Sequence, residues 1–270
     1  LLLALPLVPH NLAGWILSFS DKLILQRYSS LSEVGLYSLG YSLGMVMNFI
    51  VMSINFAWAP FFFDMAKTNK DAKQIFARIT TLWMIFISFI CISGILFSRE
   101  IVILITTEKF YGSALVIPII LVSYFLNGMY FMVVNAIFYL KKTKVLPIFT
   151  FISAIVNIGL NFWWIPKFGM MGAAYATLVS FIVQFLLVYK YSIKIYPIPY
   201  EYKKMGVVLF IFIVIYLVNM VYSFDNFAIS IPYKFGLLCV FILGLIITKV
   251  VKIEEIKKFK NIIVGKFARA

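Results

Sequence analysis

Charge is scarce in this chain. Only 13% of its 270 residues are Asp, Glu, Lys or Arg, about half the share an ordinary soluble domain carries. That deficit excludes a freely soluble globule. Histidine occurs once, at His10, and cysteine twice, at Cys91 and Cys239. Both cysteines lie inside apolar runs, so neither points to a disulfide framework. With no His, Cys, Asp or Glu cluster at ligand or acid–base spacing, no metal, cofactor or catalytic residue is expected, and the chain reads as a non-enzyme. A G-x-x-x-x-G-K-[ST] phosphate cradle is also missing, which excludes nucleotide hydrolysis by this chain. The sequence opens at Leu1 with no initiator Met and no basic n-region; it is expected to begin partway through a larger protein rather than with a signal peptide.

What the chain does have is apolar surface. Hydrophobic residues make up 63%, and the mean hydropathy is +1.01. Continuous apolar runs of about 20 residues recur throughout, the length a helix needs to cross about 30 Å of hydrocarbon. Transmembrane strands would instead alternate every second residue. The predicted fold is an all-α polytopic transmembrane bundle of eight spans, near 5–26, 33–62, 79–98, 114–140, 145–165, 170–189, 205–223 and 232–250. Pro166–Gly169 leaves room only for a tight helical hairpin. Ser30 and Glu33 in "SLSE" match a capping box that starts the second helix near Leu31. That helix is long enough to project beyond the bilayer, with a bend expected at Pro60.

A net charge of +14 in a soluble protein would suggest nucleic acid. Here the basic residues sit in short connections, and topology accounts for them. With eight alternating spans, eighteen of the 24 Lys and Arg fall on one side and five on the other, with Lys22 inside a span. The positive-inside rule then places both ends in the cytoplasm. The basic segments 191–204 and 251–270 read as surface helices against anionic headgroups, so membrane lipid rather than nucleic acid is the expected partner.

Polar residues inside the spans form stripes at helical spacing. Tyr37, Tyr41, Gly44, Asn48 and Asn55 share one face of the second span. Tyr124, Gly128, Asn135 and Tyr139 share one face of the fourth. Thr150, Ser153, Asn157 and Trp164 do so in the fifth, with Asn161 at the edge. Lipid cannot satisfy amides and phenols, so these faces turn inward, either to bond helix to helix or to line a hydrated cavity. "GMMGAAYAT" opens the sixth span with small residues suited to close helix packing. The first span holds Asp21 and Lys22 side by side. Adjacent helical residues diverge by about 100°, so the two do not form an intrahelical pair. Lys22 lies close enough to the end of its span to anchor at the interface or to turn toward the interior; the interior is expected. His10, after Pro9, reads as a helix-kink or interface residue, or as a proton or substrate contact.

"SDKLILQRYSSLSEVGLYSLGYSLG" (20–44) resembles the seventh and eighth spans of Wzx-like polysaccharide flippases, whose pattern is an Asp followed by a basic residue and then "VGxYS". "YLKKTKVLPIFTFISAIVNIGLNFWWIPKFGMMGAAYATLVSF" (139–181) resembles their tenth to twelfth spans, in the order "KKT", "N…LN…IP…G…GAA.AT". The family belongs to the multidrug/oligosaccharidyl-lipid/polysaccharide exporter superfamily, which also contains the MATE drug antiporters. The resemblance implies that residues 1–190 form the C-terminal six-helix lobe of such an exporter, 191–204 a basic cytoplasmic loop, 205–250 two additional helices and 251–270 a basic tail. It implies a missing N-terminal lobe as partner. It also implies a lipid-linked oligosaccharide as substrate, carried on undecaprenyl diphosphate across the bacterial inner membrane, with polysaccharide polymerase or glycosyltransferases as further partners. Asp21 and Lys22 match the family's acidic–basic pair, with Lys where Arg is frequent. They join Asn48, Asn55, Asn135, Asn157 and Asn161 as the candidate substrate-binding residues. A drug/cation antiporter is the alternative. A membrane glycosyltransferase or O-antigen polymerase fits less well, because the outer connections are short.

Overall fold

The computed structural model of the chain describes residues 20–222, 224 and 226–250. His10, most of the first expected span and the 251–270 tail lie outside the described residues. Helical residues 20–28 (α1) lead into α2, Leu31–Thr68. Then come α3 (Ala72–Leu96), a short α4 (Ser98–Ile105) and a 3-10 helix, Glu108–Leu115. α5 (Ile117–Tyr139), a 3-10 turn at Thr143–Val145, α6 (Leu146–Ile195), α7 (Tyr202–Val221) and α8 (Phe227–Ile247) complete the order. Six of these helices are long and apolar enough to cross a membrane, and the described residues contain no strand. The protein is an all-α, multi-pass membrane bundle.

α6 is two helical halves joined at a sharp reversal, so that it doubles back on itself. The Gln184 Nε2 donates to Thr150 Oγ1 at 3.3 Å across 34 residues, which a straight helix would hold about 51 Å apart. The reversal is at Gly169, with φ +54° and ψ −133°, a conformation open to glycine because it has no Cβ. A Cβ there would also stand 1.9 Å from Glu33 Oε1. Ser30 caps α2 as expected, its Oγ accepting from the Glu33 N–H at 3.2 Å. The other half of the capping box does not form. Glu33 instead turns its carboxylate across to accept from the Met170 N–H at 2.7 Å. One helix start therefore supplies the N-terminal anion for another, where unpaired N–H groups and the helix dipole favour negative charge.

α2 runs 38 residues, about 57 Å at 1.5 Å per residue, and it continues past Pro60. Its buried face packs on α5, which lies against α2, α3 and α6. The approach is close at Gly44, where a Cβ would come within 2.6 Å of Ile120 Cγ2. Lipid is as apolar as leucine, so in a bilayer such contacts gain from van der Waals fit rather than from water expulsion. At the far end of α2, Trp58 and Phe62 pack on Phe76 of α3, the last pair stacked with ring centres 4.1 Å apart. Tyr139 and Tyr196 close over Phe62.

α7 and α8 lie outside this core, against α3, and are held at both ends of α3. At the end carrying the Ala72 terminus, Arg78 pairs with Glu201 at 3.1 Å and donates to the Val250 carbonyl at 3.2 Å, while Lys204 also holds Glu201. At the opposite end, Lys234 of α8 pairs with Glu100 of α4 at 2.5 Å, and Ser230 donates to the same carboxylate at 2.7 Å. Burial alone would push both Glu100 and Glu201 up. The bonds from Lys234 and Ser230 outweigh it at Glu100, and those from Lys204, Thr81 and Arg78 do so at Glu201, so both carboxyls titrate below their ordinary value. Two sequence expectations change here. Lys234, counted among the charges of one face at the edge of the expected 232–250 span, is buried inside α8. The 191–204 segment is no surface helix: α6 carries Lys190 and Lys194 to Ile195, and the chain is then non-helical until Tyr202. Pro197 and Pro199 account for the break, since each lacks an N–H and disfavours helix in the residue before it.

Removing one partner of a buried pair strands a charge. Lys234→Met is expected to cost about 3 kcal/mol, read as a lowered melting temperature in detergent, and adding Glu100→Gln should recover at least half. Because Glu100 is lowered in the folded state, its contribution is complete above the pH where an unfolded Glu titrates. It is lost as pH falls through the lowered value, and Lys234→Met should flatten that acid-side loss. Gly169→Ala faces both a disallowed φ and the Glu33 carboxylate; it should destabilise by about 1–3 kcal/mol, and Glu33→Ala should not rescue it fully, since the φ strain remains.

Candidate functional site

The described end of α1 inserts its polar residues between α2 and the second half of α6. Asp21 is fully buried. One carboxylate oxygen accepts from the Tyr37 hydroxyl of α2 and, at 3.5 Å, from Thr177 Oγ1 of α6. The other accepts from the backbone N–H of Lys22 at 2.7 Å. Thr177 sits on the "GAAYAT" face, where Ala173 and Ala176 leave no exposed surface and let α6 approach closely. The small residues there thus bring a hydroxyl up to the acid.

Ser20 extends the cluster to the other half of α6. Its Oγ donates to Asn157 Oδ1 at 2.9 Å, and Asn161 Nδ2 donates to the same oxygen at 2.9 Å. Both asparagines are fully buried, yet Asn157 Nδ2 and Asn161 Oδ1 have no hydrogen-bond partner. A buried, unmade donor and acceptor cost about 1–3 kcal/mol each, and together they present the complement of a hydroxyl or a water.

Lys22 stands on a different side of α1. Its ammonium lies 4.8 Å from the centre of the Tyr41 ring, a cation–π distance. Tyr41 in turn accepts from the Tyr124 hydroxyl at 3.2 Å. The head of Lys22 is therefore directed onto α2 and α5. Asp21 and Lys22 are linked directly by the Lys22 N–H and again through the neighbouring Tyr37 and Tyr41 rings, 5.8 Å apart.

The remaining candidates scatter. Asn48 accepts from Asn127 Nδ2 of α5 at 3.2 Å, an interhelical bond of the kind that fastens membrane helices. Asn135 turns back to its own helix, donating to the Phe131 carbonyl at 2.9 Å. Asn55, half-buried, has an Oδ1 without a partner. The structure thus gathers Asp21, Lys22, Asn157 and Asn161 and leaves Asn48, Asn55 and Asn135 apart from them. A cavity of about 630 Å³ between α3, α4, α5, α6 and α7 is lined by none of the seven. Ser20, Tyr37 and Thr177 complete the gathered site. Tyr37 carried a signal as part of a polar stripe; Ser20 and Thr177 lay inside the two quoted motifs, at the start of "SDKL" and the end of "GAAYAT", but as single hydroxyls in no stripe of their own.

The cluster offers one carboxylate, hydroxyls and amide oxygens, a set of hard donors suited to a proton or a hard cation. Among the described residues no three His, Cys, Asp or Glu come together. Lys22 adds one positive charge on the neighbouring helix face.

Comparison with known proteins places this geometry in context. The chain is 23% identical over 176 residues to a protein of the Lsg locus of Haemophilus influenzae, covering 63% of this chain and 44% of the relative. It is 22% identical over 201 residues to the probable low-salt glycan biosynthesis flippase Agl15 of Haloferax volcanii, covering 74% and 43%. Its fold superimposes on the lipid II flippase MurJ in an inward closed conformation with a TM-score of 0.60 at 18% identity, over 91% of this chain and 52% of that one. The chain spans about half the length of the proteins it matches. The MatE family model matches residues 6–163, more than half of the sequence, and the chain belongs to the MatE family.

Proposed function

We propose that this chain is the second lobe of a flippase that carries a lipid-linked oligosaccharide across the bacterial inner membrane, with both of its ends in the cytoplasm. The observation that carries the reading is the charged, hydrogen-bonded centre that α1 builds between α2 and α6: a buried Asp21 held by Tyr37 and Thr177, and an adjacent Lys22 turned inward over Tyr41. A transporter of an anionic, hydroxyl-rich headgroup needs basic charge shielded from lipid and polar groups tolerant of many sugar poses. Lys22 offers the charge for a diphosphate, and Asn157 and Asn161 offer the unmade donor and acceptor for hydroxyls. Agl15, by its name a glycan biosynthesis flippase, and MurJ, a lipid II flippase, support the substrate class. Alternating access follows if this lobe rocks as a body against a first lobe outside the sequence.

A second reading has its own observation. Asp21 is a fully buried carboxylate ringed by oxygen donors, the arrangement a drug/cation antiporter uses to exchange a proton or cation. The same centre serves as the coupling site of a flippase, so the two readings differ in cargo rather than in the chemistry of Asp21.

The orientation rests on charge. Twelve Lys and Arg of the described residues, from Lys67 to Lys249, gather at the end of the bundle that holds the α2–α3, α5–α6 and α6–α7 connections. Arg27, Arg99, Lys109 and Lys167 mark the other end.

Complementation in a strain lacking its own flippase, with the full-length protein at matched expression, tests the first reading. Lys22→Ala should lower surface polysaccharide at least tenfold and Lys22→Arg should retain most of it; wild-type levels with Lys22→Ala would sink the headgroup role. Asp21→Asn should abolish ion-gradient dependence, and a chain that exports cationic drugs but no glycan would move the assignment to the antiporter. Lys142→Cys and Lys167→Cys should label with an impermeant thiol reagent from opposite sides of the membrane, Lys142→Cys from the cytoplasm.

A further inference from the structure

α2 and the second half of α6 lie side by side, run in the same direction and keep one register. At the start of both, Glu33 Oε1 accepts from the Met170 N–H at 2.7 Å. One turn further along α2, Tyr37 meets Asp21, which also takes the bond from Thr177 of α6. A turn beyond, Tyr124 of α5 donates to Tyr41 of α2 and sets its ring against Phe181 of α6, centres 5.9 Å apart. At the far end Phe62 meets Tyr196, where α6 stops, with ring centres 6.0 Å apart. Asp21 is therefore held between two helices whose alignment is set at a distance from it.

Of the bonds to Asp21, the one from Thr177 is the sensitive one. The Lys22 N–H bond is local and follows Asp21 wherever it goes. The Thr177 bond, at 3.5 Å, lies at the limit of a hydrogen bond, and about 0.5 Å more ends it. Thr177 rides on α6 seven residues from Met170, about 10 Å along the helix. The α6 hairpin is firm within itself: Gly172 packs so closely on Trp164 that a Cβ would stand 2.6 Å from its carbonyl oxygen, and Gln184 bonds across to Thr150. It moves against α2 as a unit, and a tilt of about 3° about its turn carries Thr177 about 0.5 Å. Glu33 grips that turn, its carboxylate filling the notch at Gly169, where a Cβ would lie 1.9 Å from Oε1.

We propose that Glu33 is a positioning residue for the Asp21 centre: by holding the Met170 N–H it sets the register of α6 on α2 and decides whether Thr177 reaches the carboxylate. Release of Glu33 takes one hydroxyl away from Asp21, and with it one of the oxygen ligands a hard cation would use. The consequence for transport rests on the reading of Asp21 as the working centre; the register itself does not.

Melting temperatures of the full-length protein in detergent form a double-mutant cycle that reads the register without any cargo. Thr177→Val should lower the midpoint by about 3 °C in the wild type. With Glu33→Ala already present it should cost about 1 °C or less, because the bond it removes is already gone. Effects of sites about 10 Å apart ordinarily add, so a general loosening would not produce this pattern. Glu33→Asp, too short to reach Met170, is a milder second test and should behave as the alanine variant. Glu33→Gln keeps an acceptor at the same length and should preserve the full cost of Thr177→Val, as should Glu100→Gln, a buried acid outside the register. Equal Thr177→Val losses with and without Glu33→Ala overturn the proposal. So does no loss in the wild type, or a Glu33→Gln variant that behaves as alanine. In the complementation assay, Glu33→Ala and Thr177→Val should each lower surface polysaccharide severalfold, and together no further. A coupled melting cycle with full surface polysaccharide in all three variants would uphold the register and sink the role of Asp21 in transport instead.

Discussion

Hydrocarbon offers no hydrogen-bond partner, and the rest of this structure follows from that constraint. A carboxylate in such a medium must be met by groups of the chain itself or cost several kcal/mol. Four acids of the described residues are each met by a partner more than a hundred residues away, among them Glu201 by Arg78. Asp21 reaches Thr177, Glu33 reaches the Met170 N–H, and Glu100 reaches Lys234. The backbone hydrogen bonds of each helix are local and say nothing about how helices are arranged. It is these few long-range polar contacts, with the close-packed glycine and alanine faces, that select one arrangement among the many that apolar helices could adopt.

The distribution of the contacts also divides the molecule by role. At its edge, α7 and α8 are fastened at both ends by ion pairs, a rigid attachment suited to moving as one body with the lobe. Around Asp21 the bonding is less complete: the asparagines of α6 leave a donor and an acceptor unmade. A centre with unmet polar capacity next to a fixed periphery is the expected division of labour in a transporter, where the centre exchanges partners during the cycle and the frame does not. Glu33 connects the two, since it fixes the α6 reversal next to the helix pair that encloses Asp21.

Much of the fold was legible in the residues. Apolar runs of membrane length, the Ser30 cap and the glycine after Pro166 were enough to place helices and the hairpin, because these depend on local sequence and on the thickness of the bilayer. The site was legible in part. Asp21, Lys22, Asn157 and Asn161 stood out as polar groups in apolar helices, and the fold gathers them. Asn48, Asn55 and Asn135 stood out for the same reason but lie elsewhere, because helical phase tells which way a residue faces on its own helix and not which helix it meets. The surface helix expected near Lys190–Lys204 failed on a local signal, the prolines in "YPIPY", that the basic composition obscured.

By itself the sequence determined that the chain is a helical membrane protein, which of its polar residues must point inward, and how its charge divides between two ends, since each depends on the cost of moving a group from water to lipid. Only the tertiary structure decided which inward groups meet. The match of Glu33 to Gly169, of Thr177 to Asp21, and of Lys234 to Glu100 depends on distances between helices set by side-chain packing, and no periodicity within one helix encodes the position of another.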